Sequence, residues 1–341
     1  MLIRALESQG VEVVEVQIPN ETRFWARPHK LFWQFLKVRG RKADVLILAE
    51  LNQVNMPFAK LLTVTKGIPL VFDPFFSRYD SLVMTRETVR PGGLRAGVLW
   101  CFDWLSFNCS DVLLADTSAH GQYYAQEFGV KKPMVVVPIG ANTSHFTPLP
   151  FLLYPGTGPF RVLFWGTFIP LQGVEYILEA ARICLTADPD IQFDLIGSGS
   201  TFKEMEQLAI SHCLSNVCFL GRKNQATIVA QAKEAHVCLG IFGNTNKTQR
   251  VVPNKLFEAL ALAKPVISAR TPATDEWLVA GLEYQACAVA NGQSLAEAIL
   301  SLKHDGDRLR SIADKGLQRF RQEFSEEAIG EKLVDALRAL S

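Results

Sequence analysis

The chain has 341 residues, 48% of them hydrophobic and 20% charged, with a formal net charge of +1. That length exceeds one ordinary core and predicts two domains; the near-neutral balance gives no case for a nucleic-acid partner. Seven cysteines without a CxxC pair argue against a disulfide framework and predict a reduced, cytoplasmic protein, and Cys213 and Cys218 lack the second pair that a zinc site needs, so no metal is expected.

From the amino terminus, Leu2 to Gly10 reads as the end of a helix and Val11–Val16 as a strand. The opening residues carry helix-like charge rather than the order of a secretory signal. A chain of this rhythm ordinarily opens with a strand and a Gly-rich turn, and both are missing here. Either the chain is a shortened form, with its start placed too far downstream, or the fold begins with a helix. Residues 23–42 are basic and aromatic with no acid. On a helix they suit peripheral contact with an anionic membrane surface, at the inner face of the membrane for a cytoplasmic protein; a core-packing helix with a solvated basic end is the alternative.

The next candidates are strand Val45–Ala49, helix Pro57–Thr65, strand Leu70–Phe72, strand Val112–Ala115, helix Ala119–Phe128 and strand Met134–Pro138. The apolar run Val98–Leu114 is interrupted by Asp103, Asn108 and Asp111, so it predicts a buried or amphipathic helix entering a strand rather than a membrane span. Residues 147–159 are rich in Pro and Gly and read as a linker. The rhythm then restarts with strands at 161–165, 191–196, 217–220, 237–241 and 265–268. Helices at 174–185, 202–209, 226–234 and 254–263 separate them, and three more follow at 294–303, 307–320 and 325–340. Such alternation predicts two Rossmann-like α/β domains with parallel sheets, over 1–150 and 151–324, followed by a C-terminal helix over 325–341. Ligands of such sheets bind at the carboxyl ends of the strands, and the cleft between two domains is the default site.

The most informative stretch is Arg250 to Ile267. Pro253 is expected at the first helical position. Lys255 and Glu258 lie three apart and share a helix face. A helix N-terminus with a lysine suits a diphosphate, and a carboxylate one turn later suits a ribose; a solvated Lys/Glu pair is the plain alternative. The loop before the helix adds Lys247 and Arg250. Gly197 and Gly199 follow a strand, but Phe202 replaces the third glycine of a nicotinamide fingerprint. The choice is between a phosphate-approaching turn and a tight strand-to-helix turn. Gly166 and Thr167 end another strand, and Glu50, Asn52 and Asp73 follow strands in the first half.

Val162-Leu-Phe-Trp-Gly166, Leu195-Ile-Gly-Ser-Gly199, Val217-Cys-Phe-Leu-Gly221, Pro253-Asn-Lys-Leu-Phe-Glu258 and Lys264-Pro-Val-Ile267 resemble the donor domain of the family 4 glycosyltransferases. Pro138 to Pro148 resembles the segment leading out of that family's acceptor domain. The resemblance implies the GT-B fold and retaining transfer of a sugar from a nucleotide sugar to a glycan or lipid-linked acceptor, with no essential metal or other cofactor. Lys255, Glu258 and Arg250 become the candidate catalytic residues. Gly166, Thr167, Gly197, Gly199, Gly221, Arg222, Lys247 and Asn254 become donor-binding candidates, with Gly221-Arg222 lining the base pocket. Glu50, Asn52 and Asp73 remain acceptor-side candidates. Three departures stand out: Arg250 where the family often has a glutamate, Thr167 in place of an arginine, and Gln172 in place of a lysine. Together with the missing first strand they raise one rival reading, a non-catalytic nucleotide-sugar-binding protein; a GT-B sugar-nucleotide epimerase is a second rival.

Overall fold

The computed structural model describes residues 1–17, 33–34, 40–86 and 88–339. Most of the basic stretch 23–42 lies outside the described residues. Among those described, no helix is long and apolar enough to cross a membrane.

The chain divides into two compact units, one over Leu2–Val137 with the chain from Ile329 onward, the other over Pro138–Ala328 with Met1. The division therefore falls before the expected boundary at 150/151, and most of the C-terminal helix goes with the first unit. The expected linker has no regular structure over 147–159, and it is tied to the second unit where the Leu149 N–H donates to the Leu262 carbonyl at 3.0 Å.

In the first unit, strands β1 (Leu46–Ala49), β2 (Leu70–Asp73), β3 (Val112–Ala115) and β4 (Met134–Val136) form a wholly parallel sheet in that order. Helices Met56–Lys66, Leu94–Cys109 and Ser118–Phe128 connect successive strands. Each connection advances in the same direction, so the right-handed crossover rule sets all three helices on one face of the sheet. Local signals fix their ends. Thr117 caps the third helix by accepting from the His120 N–H, and Gly67 and Gly129 end the first and third in left-handed conformation. Phe72, Phe107, Tyr124 and Phe128 fill the core beneath. Helix Leu2–Ser8 packs on the C-terminal helix Glu326–Arg338 so closely that a Cβ at Gly330 would lie 2.0 Å from the Ala5 carbonyl oxygen. The strand expected at Val11–Val16 is not formed. Its alternating valines are half-buried or exposed, with no described strand beside them to supply ladder hydrogen bonds.

The second unit holds β5 (Phe160–Thr167), β6 (Ile191–Ser198), β7 (Val217–Gly221), β8 (Val237–Leu239), β9 (Val266–Ala269) and β10 (Gln285–Cys287) in the order β10-β9-β8-β5-β6-β7, all parallel. The chain enters in the middle at β5, runs outward to β7, then crosses back to lay β8 on the other side of β5. The strand order reverses between β5 and β8, which is where such sheets place a ligand crevice. β8 and β9 are buried throughout, as expected for strands covered on both faces. Helix Pro272–Trp277 and β10 were not predicted. At six and three residues they are too short to show a period, although the Thr271/Thr274 capping box is a readable helix start.

Pro253 is the N-cap, with ψ 146°, and Asn254 is the first helical residue of Asn254–Ala261, one position later than expected. A proline fits here because its fixed φ suits the extended cap and the cap needs no N–H. Gly173, at φ 66°, faces the chain after β8: a Cβ there would lie 2.4 Å from the Gly243 backbone nitrogen. Replacing Gly173 with Ala is expected to destabilise the second unit by about 2 kcal/mol or more, from overpacking and left-handed strain together. A lowered urea midpoint for that unit checks this, and an unchanged midpoint contradicts the close approach.

Candidate functional site

β5 ends Phe164-Trp165-Gly166-Thr167, and the turn after it carries Gln172. Helix Asn254–Ala261 brings Lys255 and Glu258 to this strand end. Lys255 is only 6% exposed, which excludes the solvated-pair alternative. Its Nζ lies 3.6 Å from the centre of the Phe164 ring and donates to Gln172 Oε1. It also fills the space a side chain at Gly166 would take, since a Cβ there would lie 2.9 Å from Nζ. Burial pushes the Lys255 ammonium well below its ordinary pKa, with the Glu258 charge opposing. The ring face and the amide oxygen both favour the cation, but neither carries a full negative charge.

Glu258 is held separately. Its Oε2 accepts from Trp165 Nε1 at 2.7 Å, and the indole is 4% exposed. Burial raises the Glu258 carboxyl, while the indole N–H and Lys255 pull it back. One carboxylate oxygen is thus oriented by Trp165, leaving Oε1 as a further acceptor with two lone pairs. Trp165 and Phe164 lay in a motif the sequence pointed to, yet neither was predicted as a site residue. The available signal was a pair of aromatic residues directly before a strand-end glycine.

Gly197 and Gly199 come to the same strand ends, and their small size is required by packing. A Cβ at Gly197 would sit 1.9 Å from the Gly166 carbonyl oxygen, and one at Gly199 2.2 Å from that of Phe168. Between the two readings of that turn, the close packing accounts for both glycines. Thr167 is exposed opposite Ser198. Gly221 ends β7 in left-handed conformation and Arg222 beyond it is exposed. Asn254 is exposed in the first helical turn. Lys247 is buried and Arg250 half-buried. They sit in consecutive turns closed by the Thr248 N–H to the Thr245 carbonyl and the Arg250 N–H to the Lys247 carbonyl.

In the first unit the carboxyl ends of adjacent strands β1, β2 and β3 carry Glu50, Asp73 and Asp116. Glu50 and Leu51 form a left-handed corner, with φ 42° and 53°. Asn52 structures that corner: its amide donates to the Ala49 and Glu50 carbonyls and its oxygen accepts from Asn55. Burial pushes Asp73 up to about 6; the Phe75 N–H lowers it, and the Glu50 and Asp116 charges raise it further. Asp116 lies 2.6 Å from Nδ1 of the buried His120; the sequence reading missed this pair. In the polar-aromatic loop at 73–80, Ser77 and Asp80 are buried, and Ser77 donates to Asp103 Oδ2 at 2.7 Å.

Residues 159–305 match the family described as "Glycosyl transferases group 1" and residues 3–140 match the "Glycosyl transferase 4-like domain". The chain belongs to the group 1 glycosyltransferases, family 4. A putative colanic acid biosynthesis glycosyltransferase of Salmonella typhimurium is 22% identical over 328 residues, covering 90% of this chain and 77% of that protein. An uncharacterized glycosyltransferase of Methanocaldococcus jannaschii is 27% identical over 183 residues, or 52% of this chain and 46% of that protein. Among solved structures, sucrose-phosphate synthase from Thermosynechococcus elongatus superposes with a TM-score of 0.72 at 18% identity, covering 95% of this chain and 80% of that one. Anabaena HepE in complex with UDP and glucose gives a TM-score of 0.68 at 16% identity, covering 98% and 88%. The fold is that of the GT-B glycosyltransferases, with two Rossmann-like units.

Replacing Asp73 with Asn tests the first unit. The native pKa of about 6 lies above the ordinary 3.8, so the folded protein holds its proton longer than the unfolded chain. Stability from this group is full below the unfolded pKa and declines as pH rises toward about 6. The Asn variant, which keeps the acceptor for the Phe75 N–H, is expected to match the parent at low pH and exceed it in stability at pH 7. Denaturation across that range checks the sign; a less stable variant at pH 7 contradicts it.

Proposed function

We propose that this protein transfers a sugar, with retention of configuration, from a nucleotide-sugar donor to a glycan or lipid-linked acceptor. The observation carrying the proposal is a buried lysine on a short helix at the point where the strand order reverses, with a tryptophan-held carboxylate one turn along. Lys255 faces the diphosphate. As the bond to the sugar breaks, the transition state becomes oxocarbenium-like and negative charge grows on the departing phosphate. A desolvated ammonium and a helix N-terminus stabilise that charge more strongly than solvated groups do. Arg250 and Lys247 add positive charge from the preceding loop, so the role a metal ion plays in other transferases is assigned to side chains. Oε1 of Glu258 accepts from the ribose hydroxyls. Gly221 and Arg222 border the base, and Asn254, Thr167 and the Gly166, Gly197 and Gly199 turns line the phosphate side. Glu50 and Asp73 are assigned to the acceptor. Support comes from two neighbours: HepE was solved with UDP and glucose, and the Salmonella relative is named for colanic acid biosynthesis. We accordingly propose polysaccharide assembly as the setting.

Lys255→Ala is expected to weaken binding of a nucleoside diphosphate by about 2 kcal/mol, roughly thirtyfold, the scale of one charge-assisted hydrogen bond. Glu258→Ala is expected to weaken nucleoside diphosphate binding but not inorganic diphosphate binding. Calorimetry with UDP, GDP and ADP checks both, and normal affinity in both variants removes the site assignment. Turnover is checked by acceptor-dependent release of the nucleoside diphosphate; donor binding without release points to a binding protein, and sugar interconversion without acceptor to an epimerase.

A bound diphosphate raises the depressed Lys255 pKa, so binding takes up a proton and affinity is expected to fall as pH rises past that depressed value. Binding heats measured in buffers of different ionisation enthalpy check this; equal heats would show that Lys255 is already charged when the site is empty.

A further inference from the structure

Helices Met56–Lys66 and Leu94–Cys109 are neighbours on one face of the first unit's sheet, and the sides turned away from the sheet are apolar. On the first helix the exposed residues are Pro57, Leu61, Val64 and Thr65, and the first three recur at helical spacing, with Leu61 61% and Val64 66% exposed. On the second, Leu94, Val98, Cys101 and Trp104 do the same, and Leu94 is 87% exposed. Two adjacent stripes of this kind are more than the scattered exposed leucines of an ordinary surface. The third helix on that face gives an internal comparison: the exposed residues of Ser118–Phe128 are Ser118, Gln122, Gln126 and Glu127. The architecture therefore does not impose an apolar exterior; it is confined to two helices.

Charge identifies what covers it. The only acidic residue on either helix is Asp103, and it is buried. Arg95 on the second helix and Arg86 and Arg90 in the segment leading to it are all exposed; that segment's one acidic residue, Glu87, lies outside the described residues. That segment packs on the start of the helix through Val83, Val89 and Ala96, so the arginines rim the apolar stripe. Trp104 stacks on Trp100 at 6.5 Å, giving an amphipathic aromatic pair of the kind enriched at membrane interfaces. At the far flank Trp100 Nε1 donates to Glu127 Oε1 at 3.0 Å, where the polar helix begins. An apolar face with a cationic rim complements lipid tails beneath anionic headgroups. A second copy of the chain would bring the same arginines to the same rim.

We propose that this two-helix face docks on an anionic lipid surface. Leu61, Val64, Leu94, Val98 and Trp104 enter the headgroup boundary, and Arg86, Arg90 and Arg95 meet the phosphates. The proposal does not depend on the donor reading.

The test is flotation of the full chain with phosphatidylcholine vesicles, with and without phosphatidylglycerol. Flotation is expected only with the anionic lipid and is expected to weaken as salt rises. Joint replacement of Leu61, Leu94 and Val98 by Gln changes exposed positions only and is expected to weaken vesicle affinity about tenfold or more. Arg90→Gln with Arg95→Gln, which alters charge alone, is expected to weaken it about tenfold. Nucleoside diphosphate binding in the same preparations is expected to stay unchanged, which separates failure here from failure of the donor site. The proposal is overturned if the parent chain does not float, if both variants float like the parent and place the contact elsewhere, such as in residues 23–42, or if the Gln variant abolishes a dimer seen by ultracentrifugation.

Discussion

The arrangement at the candidate site depends on keeping one ammonium group out of water. An ion of that size is costly to desolvate, and it stays buried only where neighbouring groups offset the cost. Lys255 is met by the Phe164 ring and the Gln172 oxygen, both from β5 and the turn that follows it. The surrounding backbone is closely packed around that placement. Position 166 must lack a side chain so that Nζ can lie over the strand end. β6 pairs with β5 at the same strand end, Gly197 opposite Gly166, which leaves no room for a Cβ at Gly197. The turn at Gly173 must press on the chain after β8, which brings Gln172 within reach.

Two segments distant in sequence share the work. Helix Asn254–Ala261 supplies the charged residues, while β5 and its turn supply a fixed partner for each: Gln172 for Lys255 and Trp165 for Glu258. Neither charged side chain needs a mobile loop to orient it, so its geometry is established by folding rather than by ligand arrival. The first unit follows a different logic. At its strand ends burial raises the Asp73 carboxyl, with the Glu50 and Asp116 charges adding to the rise, and its neighbouring loop is anchored internally by Asp103.

Much of this was legible in the sequence, for identifiable reasons. The second unit's strands are continuous apolar runs between Gly-rich turns, and helices such as Val174–Ala187 carry a clear 3.6-residue period, so their placement needed no tertiary information. The Lys255/Glu258 spacing marked the right helix. Three things were hidden. The valines at 11–16 have the composition of a strand, but composition does not supply a pairing neighbour. Helix Pro272–Trp277 and β10 fall below the length at which a period shows. Trp165 and Gln172 become site residues only because the fold brings them across from positions 93 and 83 residues away in sequence. Gln172 read as a lost cation, and the structure gives it a positive role as the acceptor for Lys255.

That substitution bears on how the protein behaves with nothing bound. Two ammonium groups in one buried pocket repel, and such a pocket is stable chiefly when an anion lies between them; folding then becomes linked to the concentration of that anion. An amide oxygen facing a single ammonium accepts a charge-assisted hydrogen bond and needs no anion between the two groups. With Gln172 where the family commonly has a lysine, Lys255 has an acceptor within its own pocket, and a second ammonium at that position is absent.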